Sequence, residues 1–240
     1  MIQKNKIIKT YQNFDIAKNF DSERFGYSFQ RYKHKIEDNF LRSSIKKYGG
    51  NKKLKILDVA CGTGRMLKAI KESCPSAEYF GLDASKAMTK ILKKRSKELN
   101  LKVNLKLGDA TKMPFKDDTF DITYTYHLTW HLPQKLQRKI IKEMLRVTKK
   151  EGYILFDVLN ENFLWEKIKK IFGKKPTEGI YKMNISKLKK SFKSKKYRIE
   201  KLSDFPIKNS ALYSIANLIN MLRKILPLSL FHMIYFRVKK

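Results

Sequence analysis

The amino-acid sequence predicts a doubly wound α/β fold, a parallel sheet with helices on both faces. Three observations carry that prediction. From Leu54 onward, short apolar runs alternate with longer amphipathic stretches, the rhythm of repeated βα units. The first run enters its helix through a Gly-containing turn, Ala60-Cys61-Gly62-Thr63-Gly64. Three successive runs end at or beside an aspartate, namely Asp58, Asp83 and Asp109.

Residues 1–50 read as helical. Ile36, Phe40, Leu41 and Ile45 recur at helical spacing, and Gly49-Gly50 closes the run. Lys55–Val59 is the first strand, and its helix runs from about Arg65 to Ser73. Ala77–Leu82 is the second, with a helix from about Lys86 to Leu99. Val103–Leu107 is the third strand. Phe120–Tyr126 is the fourth, with a helix from about Gln134 to Val147, and Gly152–Val158 is the fifth. Such short apolar strands separated by helices suit a sheet covered on both faces. A basic stretch follows over 165–201, with Ser186 as the expected cap of a helix carrying Leu188 and Phe192. Tyr197–Leu202 reads as a strand, Ala211–Leu226 as an apolar helix stopped by Pro227, and His232–Val238 as a last strand.

Composition narrows the class. A hydrophobic fraction of 42% in 240 residues suits a packed globule of one domain, with at most a modest appendage. No run of 18 apolar residues occurs, which argues against a membrane span. Cys61 and Cys74 are too few for a disulfide framework, and Met1–Thr10 is Lys-rich rather than an apolar leader. Both point to the cytoplasm. The net charge of +32 attracts polyanions. Yet 44 of the 54 basic residues are Lys, spread along the whole chain, so they read first as a merely solvated basic surface and second as a polyanion site.

The chemistry centres on LKILDVACGTGRML, Leu54–Leu67. Glycines there let the backbone bend and let a ligand approach it, and a helix N-terminus beside the turn offers free N–H groups. The pattern departs from a dinucleotide fingerprint, whose third glycine would fall at Leu67. Asp58 at the strand end would also repel a pyrophosphate. It suits a ligand with an ammonium group. Asp83, 19 residues beyond Gly64, stands where a carboxylate accepts from two ribose hydroxyls. Asp109, in Gly108-Asp109-Ala110, suits an exocyclic amine on a base. Three acids at three strand ends describe a cationic aminoacyl nucleoside better than a phosphorylated one. Cys61 reads as a small buried turn residue rather than a nucleophile.

The runs LDVACGTG, GLDASKAM, GDATKMPFKDDTFDITYTYHLTWHL and GYILFDV resemble the class I S-adenosylmethionine-dependent methyltransferases. They are most similar to the small-molecule branch that includes ubiquinone and menaquinone C-methyltransferases. The resemblance spans about Leu54–Val158 and departs from the family at Ala60, where Gly is usual. It implies a Rossmann-like seven-stranded sheet, mostly parallel with an antiparallel last strand. A helical lid over residues 1–50 would precede a methyltransferase domain over 51–240. The cofactor it implies is S-adenosylmethionine, leaving as S-adenosylhomocysteine, with no metal. Asp58, Ala60, Gly62 and Gly64 would line the methionine moiety, and Asp83 would hold the ribose. Ala84 and Met88 would pack near the adenine, which Asp109 and Ala110 would contact. Tyr126 and Leu128 would sit beside the methyl-bearing sulfur. In the lid segment Tyr11–Phe25, Tyr11 and Arg24 would approach the cofactor, Arg24 pairing with its carboxylate.

His127 and His131 follow the fourth strand with Trp130 between them. Either can act as general base; the competing reading has one of them capping the helix at Pro133 or packing in the core. For the acceptor, three readings stay open. The resemblance and the aromatic lid favour a small-molecule or lipid-linked acceptor. In that reading the apolar helix 211–226 is free to lie on an anionic membrane or to pack on the sheet. The charge and the aromatics Tyr181, Phe192 and Tyr197 within the basic stretch favour tRNA or rRNA. The third reading is a cofactor-binding scaffold without catalysis.

Overall fold

The computed structural model describes residues 9–25, 28–49, 52–164, 179–192, 195–202 and 224–240, with positions 168, 171, 173, 218, 219, 221 and 222. Helices α1 (Phe14–Phe25) and α2 (Ser28–Gly49) precede β1 (Lys55–Val59). Then come α3 (Leu67–Ser73), β2 (Glu78–Asp83), α4 (Lys86–Glu98), β3 (Val103–Leu107) and β4 (Phe120–Thr125). After a 3-10 turn at Thr129–His131 follow α5 (Gln134–Val147), β5 (Thr148–Leu159), α6 (Ile185–Ser191), β6 (Tyr197–Leu202) and β7 (Met233–Lys239).

The seven strands form one sheet in the order β3-β2-β1-β4-β5-β7-β6. β1 to β5 pair in parallel, while β7 is antiparallel to both neighbours. The order reverses between β1 and β4, and in such sheets that crevice, beyond the carboxyl ends of the strands, is where ligands sit.

Alternation along the strands supplies two cores. Ile56, Tyr79, Ile122, Leu155 and Tyr235 face one side, against Leu41 and Ile45 of α2 and Ile70 of α3. Leu57, Phe120, Ile154, Phe156 and Phe236 face the other, against Ile140, Met144 and Val147 of α5 and Phe192. The N-terminal segment thus does two things. α2 inserts Leu41 and Ile45, both fully buried, into the first core, each contributing about 2 kcal/mol. α1 instead packs on α4, where Ala17 meets Ala87 and Met88.

Two elements differ from the sequence reading. The cap of α6 is Asn184, not Ser186. The Asn184 side chain accepts from the Lys187 N–H at 3.0 Å on an extended backbone, leaving Ser186 inside the helix. β5 begins at Thr148 rather than Gly152, because Thr148 already pairs with Phe120 across a bulge. Residues 203–217, and so most of the expected helix 211–226, lie outside the described residues.

Candidate active site

One cleft opens at the carboxyl ends of β1, β2 and β4, and the turn after β1 forms its floor. Gly62 and Gly64 take φ of +51° and +75°, and Ala60 also sits at +59°. A left-handed backbone costs a residue bearing Cβ about 1 kcal/mol or more, so Ala60 holds a conformation that Gly would adopt without strain. A Cβ on Gly62 would meet almost nothing, its nearest neighbour being the Ala60 carbonyl at 4.0 Å. A Cβ on Gly64 would lie 2.7 Å from Leu92 Cγ and 2.8 Å from Leu67 Cδ1. Gly62 therefore leaves space at the cleft, whereas Gly64 lets the turn press against α3 and α4.

The three aspartates differ in environment. Asp58, 5% exposed, accepts from the Tyr79 hydroxyl at 3.0 Å and the Tyr124 hydroxyl at 2.5 Å. Burial pushes its pKa up to about 7, against the pull of both tyrosines and Arg65. Asp83 accepts from the Gly62 N–H and the Ser85 N–H, each at 2.8 Å. Burial raises its pKa, and those N–H groups oppose the rise. Asp83 thereby ties the Gly turn to the start of α4. Asp109 accepts from the Thr111 N–H and hydroxyl at 2.8 Å each.

Of the residues anticipated from sequence, Tyr11, Asp58, Ala60, Gly62, Asp83, Ala84, Met88, Asp109, Ala110, Tyr126, His127, Leu128 and His131 all line this cleft. Gly64 does not. Arg24 lies in α1, and its side chain is outside the described part of the structure. Tyr11 meets Phe20 edge-on at 5.6 Å, and its carbonyl accepts from Ser85 Oγ at 2.6 Å, which ties this N-terminal segment to the start of α4 beside the cleft. The Tyr126 hydroxyl is buried and makes no hydrogen bond among the described residues. Cys61 lines the floor, and burial pushes its thiol well above the ordinary range.

Sequence reasoning missed a buried polar cluster behind His127. Glu37 of α2, fully buried, accepts from Arg65 Nη1 at 2.7 Å and from the Tyr235 hydroxyl at 3.1 Å. It also faces His127 Nε2 at 2.6 Å. Burial opposes ionisation of Glu37, but His127, Arg65 and Lys33 outweigh it and hold its pKa well below the ordinary range. Asp157 of β5 accepts from the His127 N–H at 3.0 and 3.1 Å and from Trp130 Nε1 at 3.2 Å. Burial and nearby Glu37 push Asp157 up to about 6. Glu37, His127 and Asp157 are close enough together to hold a cation. However, Arg65 and Lys33 already bring positive charge there, and three donors take up Glu37, so the cluster reads as an internal ion-pair network. Arg65 was expected to begin a helix. It lies instead in the turn before α3 and lines the cleft.

The aromatics proposed to stack bases fare differently. Phe192 is 1% exposed and packs near Phe156 and Phe236, so it has no face to offer a nucleic acid. Tyr197 is 40% exposed.

Comparison with known proteins matches residues 56–152 to a methyltransferase domain family. A demethylmenaquinone methyltransferase of Geobacillus sp. (strain WCH70) is 36% identical over 143 residues, covering 58% of each chain. Another, from Anoxybacillus flavithermus, is 32% identical over 157 residues, covering 64% of this chain and 63% of that one. The chain thus spans about three fifths of the length of these curated relatives. Among solved structures, a magnesium protoporphyrin IX methyltransferase from Synechocystis with bound S-adenosylhomocysteine superposes with a TM-score of 0.72. That match covers 99% of this chain and 100% of the other at 14% identity, which speaks to the fold. With the strand order, the Gly turn and the acid-lined cleft all in place, residues 56–152 match a methyltransferase domain, and the chain shares the fold of that solved methyltransferase.

Proposed function

We propose that this chain transfers the methyl group of S-adenosylmethionine to a small, lipid-linked acceptor of the quinol type, releasing S-adenosylhomocysteine. The observation that carries the reading is Asp58. It is a buried carboxylate on the cleft floor whose described hydrogen bonds come from two tyrosine hydroxyls. A ligand ammonium there supplies the positive charge that burial otherwise makes the site lack. Arg65, the guanidinium lining the cleft, offers a charge-assisted partner to the same ligand's carboxylate. Asp83 and Asp109 accept from the ribose hydroxyls and the adenine amine. S-adenosylmethionine itself supplies a methyl on a positively charged sulfur that leaves as a neutral thioether. The protein's task is then to align the acceptor, exclude water and take a proton. Tyr126, His127 and His131 border the space left for the acceptor. The relatives named demethylmenaquinone methyltransferases support the choice of acceptor class.

A lipid-linked acceptor also accounts for the region around 218–226. No helix among the described residues is long and apolar enough to cross a membrane. Yet Met221 and Ile225 are each 78% exposed, beside Leu218 and Leu222, while Ile219 and Leu226 pack on the second core. In a chain of net charge +32, such a face suits peripheral contact with anionic lipid.

The test is to incubate the purified protein with isotopically methyl-labelled S-adenosylmethionine and a reduced demethylated naphthoquinone, with and without anionic vesicles. Label in the quinone, with protein floating with the vesicles, is expected. Cofactor binding without label in any quinol would overturn the acceptor assignment, and failure to float would remove the membrane contact.

A further inference from the structure

We propose that Glu37 is the positioning residue of the acceptor-side base. Its carboxylate fixes the Nε2–H tautomer of His127, so that the ring takes the acceptor's proton on Nδ1. The catalytic half of this proposal rests on the methyl-transfer reading above; the tautomer does not.

Glu37 Oε2 lies 2.7 Å from Arg65 Nη1, and Oε1 accepts from Tyr235 and faces His127 Nε2. Arginine stays charged, and a carboxylate paired with it is ionised. An ionised carboxylate only accepts, so the ring nitrogen 2.6 Å from it must donate. A neutral imidazole with its hydrogen on Nε2 carries its lone pair on Nδ1. Burial keeps the ring neutral, against the pull of Glu37 and with the help of Lys33 and Arg65.

The backbone of His127 is set as deliberately as its ring. Its φ of +66° is left-handed, a conformation that persists in a non-glycine residue only where the surroundings over-determine it. Asp157 supplies that constraint by accepting the His127 N–H with both oxygens, and it also holds Trp130. The ring therefore has Glu37 and Lys33 near it from α2, Arg65 from the turn, Asp157 from β5 and Tyr235 from β7. Tyr126, Trp130 and His131 also lie beside it. Among the described residues, Glu37 and Asp157, which bond its ring and its backbone, come from elements other than the strand it follows.

In the reaction, the acceptor's O–H or acidic C–H bond breaks and its proton goes to Nδ1. The electron pair left on the acceptor attacks the methyl carbon. The carbon–sulfur bond breaks with its electrons passing to sulfur, and the imidazolium later returns its proton to water. Glu37 faces the imidazolium as it forms, so one carboxylate both selects the tautomer and stabilises the charge.

The experiment is a long-range proton–nitrogen NMR spectrum of the full chain labelled at histidine, read without acceptor. There are four histidines, and His127→Asn assigns the signal. The expected wild-type state is Nε2–H. In Glu37→Gln the amide can donate to Nε2, so the tautomer is expected to switch to Nδ1–H. Turnover should then fall about 100-fold, with cofactor affinity weakened no more than about threefold. Glu37→Asp, which keeps the acceptor, is expected to keep Nε2–H and recover part of the rate. The wild-type acid limb of kcat/KM should lie below pH about 6.5, the ordinary histidine value, because burial disfavours the imidazolium. Wild type with Nδ1–H or an imidazolium at pH 7 would overturn the proposal even if Glu37→Gln failed to fold. So would Glu37→Gln turning over within threefold of wild type. A clear Nε2–H signal in wild type that methylates no acceptor would sink the methyl-transfer reading instead.

Discussion

Replacing Asp58 by Asn measures what this carboxylate costs the ligand-free protein. Asp58 is 5% exposed, and burial pushes its pKa from an ordinary 3.8 to about 7. A carboxyl raised in the folded state favours folding only while protonated. Its contribution is whole below pH about 4, is lost as the pH rises through 7, and is absent above that. A shift of about three units at about 1.4 kcal/mol per unit sets a ceiling near 4 kcal/mol. Asparagine keeps the shape and an acceptor for Tyr79 and Tyr124 but carries no charge. Urea unfolding of both proteins at pH 5 and pH 8 reads the difference. The stability of Asp58→Asn relative to wild type is expected to rise by up to about 3 kcal/mol between those two pH values. Calorimetry on the same variant should show weaker binding of S-adenosylmethionine, because the ligand's ammonium loses its partner. A stability difference that does not change with pH, or one that turns against Asn at pH 8, would refute the reasoning.

The turn after β1 carries three further predictions. Ala60→Gly relieves a left-handed alanine at +59° and is expected to leave stability unchanged or raised by about 0.5–1 kcal/mol. Gly64→Ala adds a Cβ less than 3 Å from Leu92 and Leu67 at a φ of +75°, and urea titration should show a loss of about 2–4 kcal/mol; equal behaviour of the two variants would contradict this account of the turn. Cys61, buried with a raised pKa, should react with a thiol reagent only as fast as the protein opens, and rapid labelling of native protein would contradict its role as a packed turn residue.

The strands were legible because their apolar runs are short and bounded by Gly, Asp or Pro, and the cleft because its acids end those strands. Glu37 was not legible, since its partner His127 lies 90 residues away and only tertiary packing joins them. A signal existed all the same. Lys33, Glu37, Phe40, Leu41, Ser44 and Ile45 are all buried on α2, so two charges share the spacing of the apolar stripe. Buried charges need partners, and that spacing pointed to an internal ion pair. Arg65 was hidden by its place beside the Gly turn, where a helix start two residues early put its side chain on a helix surface rather than in the cleft. Ser186 was read as the cap of α6 where Asn184 caps instead; both residue types cap well, and only the backbone decides between them.

The central claim is that the cleft holds S-adenosylmethionine on Asp83, and calorimetric titration of wild type and Asp83→Ala with S-adenosylmethionine and S-adenosylhomocysteine tests it most directly. Binding of both ligands to wild type in the micromolar range, abolished in an Asp83→Ala variant that remains folded, is the predicted result. Well-folded wild type that binds neither ligand would contradict the account.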